Sequence, residues 1–236
     1  MRGPEQRWFQ HKVAVIDSCT QVRGSFQFCF PALQVVGAFA TVEEFLDSGI
    51  DCDLVVVDMV LHDSDASALS GPSAVEALVS ANHRVCVYSA ERRVLVLARC
   101  LAAGVAGLVN KSDPLNISGE VFATALQGST AIATSLGFVR DLVARRGVPP
   151  TLTMRQRQVL HARARGESWQ QLAERLGISA KTAYDRLECA RSKLSWFLQD
   201  AGLGPDPSPA DIEYALGLLP PHTVLRESSG ERKRSA

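Results

Sequence analysis

The chain reads SWQQLAERLGISAKTAYDRLECARSKL over residues 168–194, and this stretch contains two helical patterns separated by a tight turn. Gly177 can take the left-handed conformation that ends a helix, and Ser179 can cap the helix that follows. Apolar residues in the second pattern are spaced by four, three and four, which places them on one face of a helix: Ala183, Leu187, Ala190 and Leu194. Two short helices joined by a glycine-containing turn form a helix-turn-helix, whose second helix enters the major groove of DNA.

The outer face of the second helix offers the donors and cations that a groove-binding helix needs. The predicted DNA-contacting residues are Lys181, Thr182, Tyr184, Asp185, Arg186 and Arg191. A small helical bundle with a solvated charged face is the structural alternative. The charge distribution favours DNA, although the net charge of the chain is 0. Residues 1–130 carry 9 Lys/Arg and 14 Asp/Glu, whereas residues 131–200 carry 12 and 6. Such a basic segment after an acidic one indicates a polyanionic partner for the basic part.

Upstream of this segment, short apolar runs alternate with helical patterns, which predicts a doubly wound α/β domain with a five-stranded parallel sheet of flavodoxin-like order. The runs are Lys12–Ile16, Leu33–Phe39, Leu54–Val57, Arg84–Tyr88 and Gly107–Val109. Gly24 lies in a poor helix-forming stretch, where the first helix is expected. We predict an α/β domain over residues 10–130 and a linker helix with a proline-containing linker over 131–150. An all-α helix-turn-helix domain over 151–200 and a partly disordered extension over 201–236, with a short helix at Ala210–Leu219, complete the chain.

Four polar residues follow the first, third, fourth and fifth runs: Asp17, Asp58, Ser89 and Lys111. The carboxyl ends of parallel strands meet at one edge of the sheet, so we expect these side chains in one pocket. Two carboxylates, a hydroxyl and an ammonium can hold a divalent cation and accept a phosphoryl group on a carboxylate.

Two resemblances join these predictions. One segment resembles the LuxR-type helix-turn-helix of bacterial regulators through Leu152-Thr153-Met154-Arg155-Gln156-Arg157-Gln158-Val159-Leu160, Gly166, Leu172-Ala173, Leu176-Gly177-Ile178-Ser179, Thr182 and Lys193-Leu194. The residues Asp53-Leu54-Val55-Val56-Val57-Asp58, with the pocket, resemble the receiver domain of response regulators. A receiver followed by a LuxR-type domain is the layout of NarL/FixJ-type regulators, over about residues 12–198. Residues 182–194 also resemble the promoter-reading region of sigma factors, which is a related helix-turn-helix.

The resemblance implies a transcription regulator that binds double-stranded DNA as a homodimer and receives a signal from a sensor kinase. It implies that Asp58 is the phosphorylated residue, that Asp17 and Asp58 hold Mg²⁺, that Ser89 is the switch hydroxyl and that Lys111 binds phosphate. Ser18 stands where the family has a second acid, which predicts weak Mg²⁺ binding and argues against control by phosphorylation. A small molecule or a protein would then carry the signal, or the dimer would be constitutive.

Further departures lie elsewhere in both domains. Tyr184 and Arg186 stand where the family has lysine and histidine, so the DNA target cannot be taken from relatives. Gln156 and Gln158 replace acidic residues, and His62 replaces a proline.

Three alternatives remain open: a conventionally phosphorylated two-component regulator, a metal-dependent phosphohydrolase using Asp17 and Asp58, and a module that binds a sigma or polymerase subunit. The sequence shows neither a second acid cluster nor a phosphate-binding glycine loop, so we expect no enzyme activity. Six scattered cysteines without a CxxC pair indicate reduced thiols. The sequence has no signal peptide and no apolar stretch of about 18 residues, which predicts a cytoplasmic protein without membrane contact.

Overall fold

The computed structural model describes residues 11–61 and 69–218. His62 and the charged tail predicted to be disordered lie outside these ranges. The chain divides into two compact units. One contains the residues up to Asp141 except Arg93–Leu95, and the other contains those three residues and the chain from Leu142 onward. No helix in the described ranges is long and apolar enough to cross a membrane.

The first unit contains a parallel sheet with the strand order β2-β1-β3-β4-β5-β6, which confirms the predicted doubly wound class. The strands are β1 Lys12–Ile16, β2 Gln34–Phe39, β3 Leu54–Val57, β4 Val85–Ser89, β5 Gly107–Asn110 and β6 Ala131–Ile132. The central strands β1, β3 and β5 are almost entirely buried, as expected for a sheet covered on both faces.

The prediction of five strands was wrong by one. The amides of Ala131 and Ala133 donate to the carbonyls of Ala106 and Leu108 at 2.9 Å, so this short segment pairs with the edge of β5. The segment from Ala131 was expected to continue as a linker helix, but the α-helix begins only at Gly137, after a 3-10 turn at Thr134–Leu136. The edge carbonyls of β5 would otherwise lack hydrogen bonds. Hydrogen bonding to them therefore stabilises this segment as a strand more than its helical pattern stabilises it as a helix.

Four helices connect the first five strands: α1 Thr20–Cys29, α2 Val42–Ser48, α3 Gly71–Ser80 and α4 Val94–Ala102. A fifth helix, α5 Leu115–Leu126, follows β5. Helix α1 forms despite Gly24 because Phe26, within the helix, and Phe30, directly after it, are buried. The rings of Phe26 and Phe30 lie 5.9 and 5.0 Å from that of Phe122, and both also contact Tyr88. Burial of these large rings supplies more free energy than one poor helix former removes.

After α6 (Gly137–Arg146), the second unit contains α7 Met154–Ala164, α8 Trp169–Leu176, α9 Ala180–Asp200 and α10 Pro209–Ala215. The predicted cap at Ser179 and the predicted helix end at Gly177 are confirmed. Thr153, Ser168 and Ser179 each accept a hydrogen bond from the amide three residues later, and Gly177 ends α8 with a φ of 63°. The predicted apolar face of α9 is buried, with Ala183, Leu187, Ala190 and Leu194 in the core.

The predicted short helix near Ala210 is α10. Its residue Glu213 is buried and lies 2.9 Å from Nδ1 of His161 on α7 and 3.2 Å from Arg165, which directly follows α7. A buried carboxylate is tolerated when a cation pairs with it. This ion pair therefore fixes α10 on the helix-turn-helix domain.

The six cysteines are free thiols. Cys86 and Cys100 are buried. Burial raises the pKa of the Cys100 thiol to about 12 and raises that of Cys86 as well, so both stay protonated at neutral pH.

Gly107 is required by the close approach of β5 to β4. A Cβ atom at Gly107 would lie 2.5 Å from Cys86 Sγ and 3.0 Å from Val121 Cγ1. We expect Gly107→Ala to lower the free energy of unfolding by about 1–3 kcal/mol through overpacking. The measurement is urea unfolding, and the control is Gly119→Ala in α5, where no atom lies within 4 Å of the added Cβ. Equal stability of the two variants would contradict the close approach.

Candidate functional site

Strand register brings the two predicted carboxylates together. Ile16 at the end of β1 pairs with Val57 at the end of β3, and Asp17 and Asp58 follow directly. The amide of Asp58 donates to the carbonyl of Ile16 at 2.8 Å, which extends the pairing to the site. Asp17 is 2% and Asp58 8% exposed. The two acids are therefore held side by side at the carboxyl edge of the sheet.

Lys111 bridges these carboxylates. Its Nζ lies 2.6 Å from Asp17 Oδ2 and 2.7 Å from Asp58 Oδ2. Burial by itself lowers the pKa of Lys111, but hydrogen bonds and charge attraction from both aspartates outweigh burial, so the pKa is raised above its ordinary value. Lys111 is a permanent cation in the pocket at neutral pH.

The other carboxylate oxygens accept hydrogen bonds from backbone amides. Asp17 Oδ1 accepts from Cys19 at 2.8 Å, and Asp58 Oδ1 accepts from Met59 at 2.7 Å. Ser89 Oγ is buried and accepts from the amides of Met59 at 3.4 Å and Glu91 at 3.2 Å. The structure thus places all four predicted strand-end residues in one pocket and shows how each oxygen is held.

Ser18 joins the pocket in a different way from an acid. Its hydroxyl donates to the carbonyl of Val60 at 3.1 Å and so ties the β1 end to the segment after Asp58. Among the described residues, no three His, Cys, Asp or Glu side chains form a metal-binding group. Two carboxylates that share one ammonium carry a single net negative charge. The ammonium of Lys111 therefore already balances part of the charge that a divalent cation would need. The residues present do not fit a tightly bound Mg²⁺.

The predicted DNA-contacting residues all lie on α9 but differ in their exposure and in their hydrogen-bond partners. Lys181, Tyr184 and Asp185 are exposed and lie outside the buried face of α9. Thr182 belongs to the start of the helix, where its amide donates to Ser179 Oγ at 3.0 Å and the two hydroxyls lie 2.8 Å apart. Arg186 is half-buried at the edge of the core, and its buried Nη1 has no hydrogen-bond partner among the described residues.

Arg191 lies two turns after Tyr184 on α9 and is already engaged by other groups. Its guanidinium lies 2.8 Å from Asp206, 3.4 Å from Glu188 and 3.1 Å from the carbonyl of Pro207. These contacts attach Arg191 to the segment that precedes α10.

Two residues near the outer face were missed. Cys189 is exposed one turn after Asp185, and Gln156 Nε2 lies 3.3 Å from its Sγ. The spacing of four from Asp185 would have placed Cys189 on this face. Trp169 at the start of α8 packs against Tyr184, and no local spacing in the sequence links residues on two different helices.

Residues 150–186 match the family model described as bacterial regulatory proteins, luxR family. Over these residues the helix-turn-helix is similar to the luxR family. The match covers α7, α8 and the first two turns of α9, including Lys181, Tyr184 and Asp185. A comparison with curated proteins found no match.

Solved structures of RcsB resemble the chain over nearly its full length. RcsB from Salmonella enterica serovar Typhimurium, bound to a promoter with the phosphomimetic BeF3⁻, has a TM-score of 0.63 at 15% identity, with 89% of this chain and 99% of RcsB covered. A structure of two RcsB dimers bound to two parallel DNAs gives a TM-score of 0.59 at 15% identity, covering 87% and 98%. At this identity the likeness shows the fold alone, a doubly wound α/β domain followed by a helix-turn-helix domain.

We expect Lys111→Met to lower the free energy of unfolding by about 3–5 kcal/mol, because the buried aspartates lose their cation. The pKa of Lys111 is raised above its ordinary value of 10.5, so the ion pair stabilises the fold fully below that pH. The contribution decreases only as the pH rises through the higher pKa of the folded state. Denaturant unfolding between pH 7 and pH 9 should therefore give a constant difference between the two proteins.

The matched control is Lys12→Met. Lys12 is exposed and lies 3.8 Å from the exposed Asp51, and this variant should differ from the wild type by less than about 1 kcal/mol. A loss for Lys111→Met no larger than for Lys12→Met would show that the bridge contributes nothing to stability.

Proposed function

We propose that the chain is a DNA-binding transcription regulator of the response-regulator type. The observation that carries this proposal is the luxR-family segment, in which the capped helix α9 presents Lys181, Tyr184 and Asp185 outward. A helix with a fixed start and exposed polar residues on its first two turns fits the major groove. The cytoplasm, where bacterial DNA lies, is the proposed place of action.

The proposed contacts divide by chemistry. Lys181 can donate to phosphate oxygens or to the acceptors of guanine, and Asp185 can accept from the amino group of cytosine. The 12 Lys/Arg of residues 131–200 supply the attraction to the phosphate backbone. Thr182 and Arg191 support the domain in this proposal, since Ser179 and Asp206 already bind them.

We propose further that the regulator acts as a dimer. RcsB, which shares the fold, is described as two dimers bound to two parallel DNAs. A two-fold dimer of helix-turn-helix proteins reads two half-sites separated by about one helical turn of DNA. A selected binding site with two-fold symmetry is the expected signature, and a site with a single unrepeated element would oppose the dimer.

We expect Lys181→Ala to weaken binding to a duplex selected from random DNA by about 1–3 kcal/mol and to reduce the dependence of affinity on salt. Fluorescence anisotropy at several salt concentrations measures both quantities. The control is Lys12→Ala, which removes an exposed lysine from the α/β domain and should leave affinity unchanged. Equal affinities for the two variants would refute the docking of α9. Failure of the wild type to select any DNA, together with capture of a sigma or polymerase subunit, would support the interaction module instead.

The pocket favours control without Mg²⁺-dependent phosphorylation. Lys111 already balances one of the two carboxylates, and Ser18 donates to a backbone carbonyl instead of adding a third charge. We propose that a protein or a small molecule supplies the signal, or that the dimer is constitutive. The same charge balance leaves no free pair of carboxylates for a metal-dependent phosphohydrolase, so we propose no enzymatic turnover.

We expect acetyl phosphate with Mg²⁺ to leave the mass of the wild-type protein unchanged. Ser18→Asp should add the mass of one phosphoryl group, because the extra carboxylate strengthens divalent-cation binding. Asp58→Asn in the Ser18→Asp background is the control and should abolish the gain. A phosphorylated wild type that loses the modification in Asp58→Asn would instead establish a conventional two-component regulator. Hydrolysis of a generic phosphomonoester, lost in Asp17→Ala, would establish the phosphohydrolase.

A further inference from the structure

Three side chains from different parts of the helix-turn-helix form a stack, called here the Arg163–Trp169–Tyr184 stack. The ring centroids of Trp169 and Tyr184 lie 5.6 Å apart with an interplanar angle of 66°, an edge-to-face contact. The guanidinium of Arg163 lies over the Trp169 ring, 4.4 Å from its centroid. Arg163 also donates to the carbonyl of Glu167. The stack therefore joins the end of α7, the start of α8 and the outer face of α9.

This stack fixes an exposed aromatic ring. Tyr184 is 51% exposed, although its neighbours Ala183 and Leu187 lie in the core. An edge-to-face contact with Trp169 restricts the ring to few orientations, and the guanidinium of Arg163 restricts Trp169 in turn. A ring held before binding loses less conformational entropy when it meets a ligand. Tyr184 is thus a preformed contact, unlike the flexible Lys181.

The neighbours of Tyr184 indicate which part of DNA it meets. Asp185, an exposed carboxylate, follows it directly. Carboxylates are repelled by phosphates, whereas they can accept hydrogen bonds from the amino group of cytosine. This side of α9 is therefore suited to base edges. Among the four bases only thymine presents a methyl group in the major groove, and an aromatic ring gives an apolar surface for it.

We propose that Tyr184, positioned by Trp169, contacts the 5-methyl group of a thymine and so sets the sequence preference of this protein. The inference rests on the proposed DNA-binding function and adds a base to it. Tyr184 is the residue that touches DNA, and Trp169 is a positioning residue that acts through it. The lysine that the resembling family carries at this position has no comparable apolar surface.

The test replaces thymine by uracil, which removes the methyl group and leaves the base-pairing groups in place. The full-length protein first selects a duplex from random DNA, and each thymine of that site is then changed to uracil in turn. At one position per half-site we expect about fourfold weaker binding by the wild type, the effect of losing one buried methyl group. Tyr184→Ala should bind the thymine and uracil duplexes equally at that position.

Three variants separate the contribution of the Tyr184 ring from those of its hydroxyl and of the supporting Trp169. Tyr184→Phe keeps the ring and should retain the fourfold difference. Trp169→Ala should reduce the difference, while Trp169→Phe, which keeps a ring in place and guards against loss of folding, should retain most of it. Thermal unfolding of each variant checks that the domain is intact.

The outcomes are distinguishable. Absence of any selected duplex for the wild type overturns the proposed function and this inference with it. A different outcome is that the wild type selects a specific duplex while uracil has the same effect on it and on Tyr184→Ala at every thymine. That result overturns this inference alone and leaves the proposed function standing. Loss of the thymine preference in Tyr184→Phe would assign the contact to the hydroxyl and would also overturn the methyl contact.

Discussion

The parallel register of β1 against β3 determines most of what the α/β domain presents to its surroundings. Ile16 pairs with Val57, and the next residue on each strand is an aspartate, so two carboxylates emerge side by side. Both are buried, and such a pair requires a cation nearby. Lys111 supplies that cation from the end of β5, two strands away from β3. The sheet and the ion bridge therefore depend on each other.

The sequence predicted this part because its signals are local. Apolar runs locate the first five strands, and each polar pocket residue follows directly at a strand end. The parts that escaped prediction depend on partners distant in sequence. Helix α1 forms around Gly24 because Phe26 and Phe30 reach Phe122, and β6 forms because the edge of β5 has carbonyls to pair. Neither partner is visible in a window of ten residues.

The helix-turn-helix shows the same division. Caps and core spacing are properties of single helices and turns, so Thr153, Ser179 and the apolar face of α9 were predictable. The environment of each outward residue was not, because it depends on other elements. Arg191 is bound by Asp206 from the segment before α10, and Tyr184 is held by Trp169 from α8. Helical periodicity identified the outer face but could not separate free side chains from those already engaged.

The charge balance in the strand-end pocket of the α/β domain bears on how a signal can act on it. A signal can shift a conformational equilibrium only by the difference in its binding free energy between the two states. In this pocket Lys111 already forms ion pairs with Asp17 and Asp58. A divalent cation that binds there must weaken these ion pairs before it can form its own with the two carboxylates. That cost reduces the difference in binding free energy that a cation bound at the strand ends can supply between the two conformational states. A signal acting elsewhere on the domain, such as a partner surface, does not meet this cost and can bias the fold more effectively.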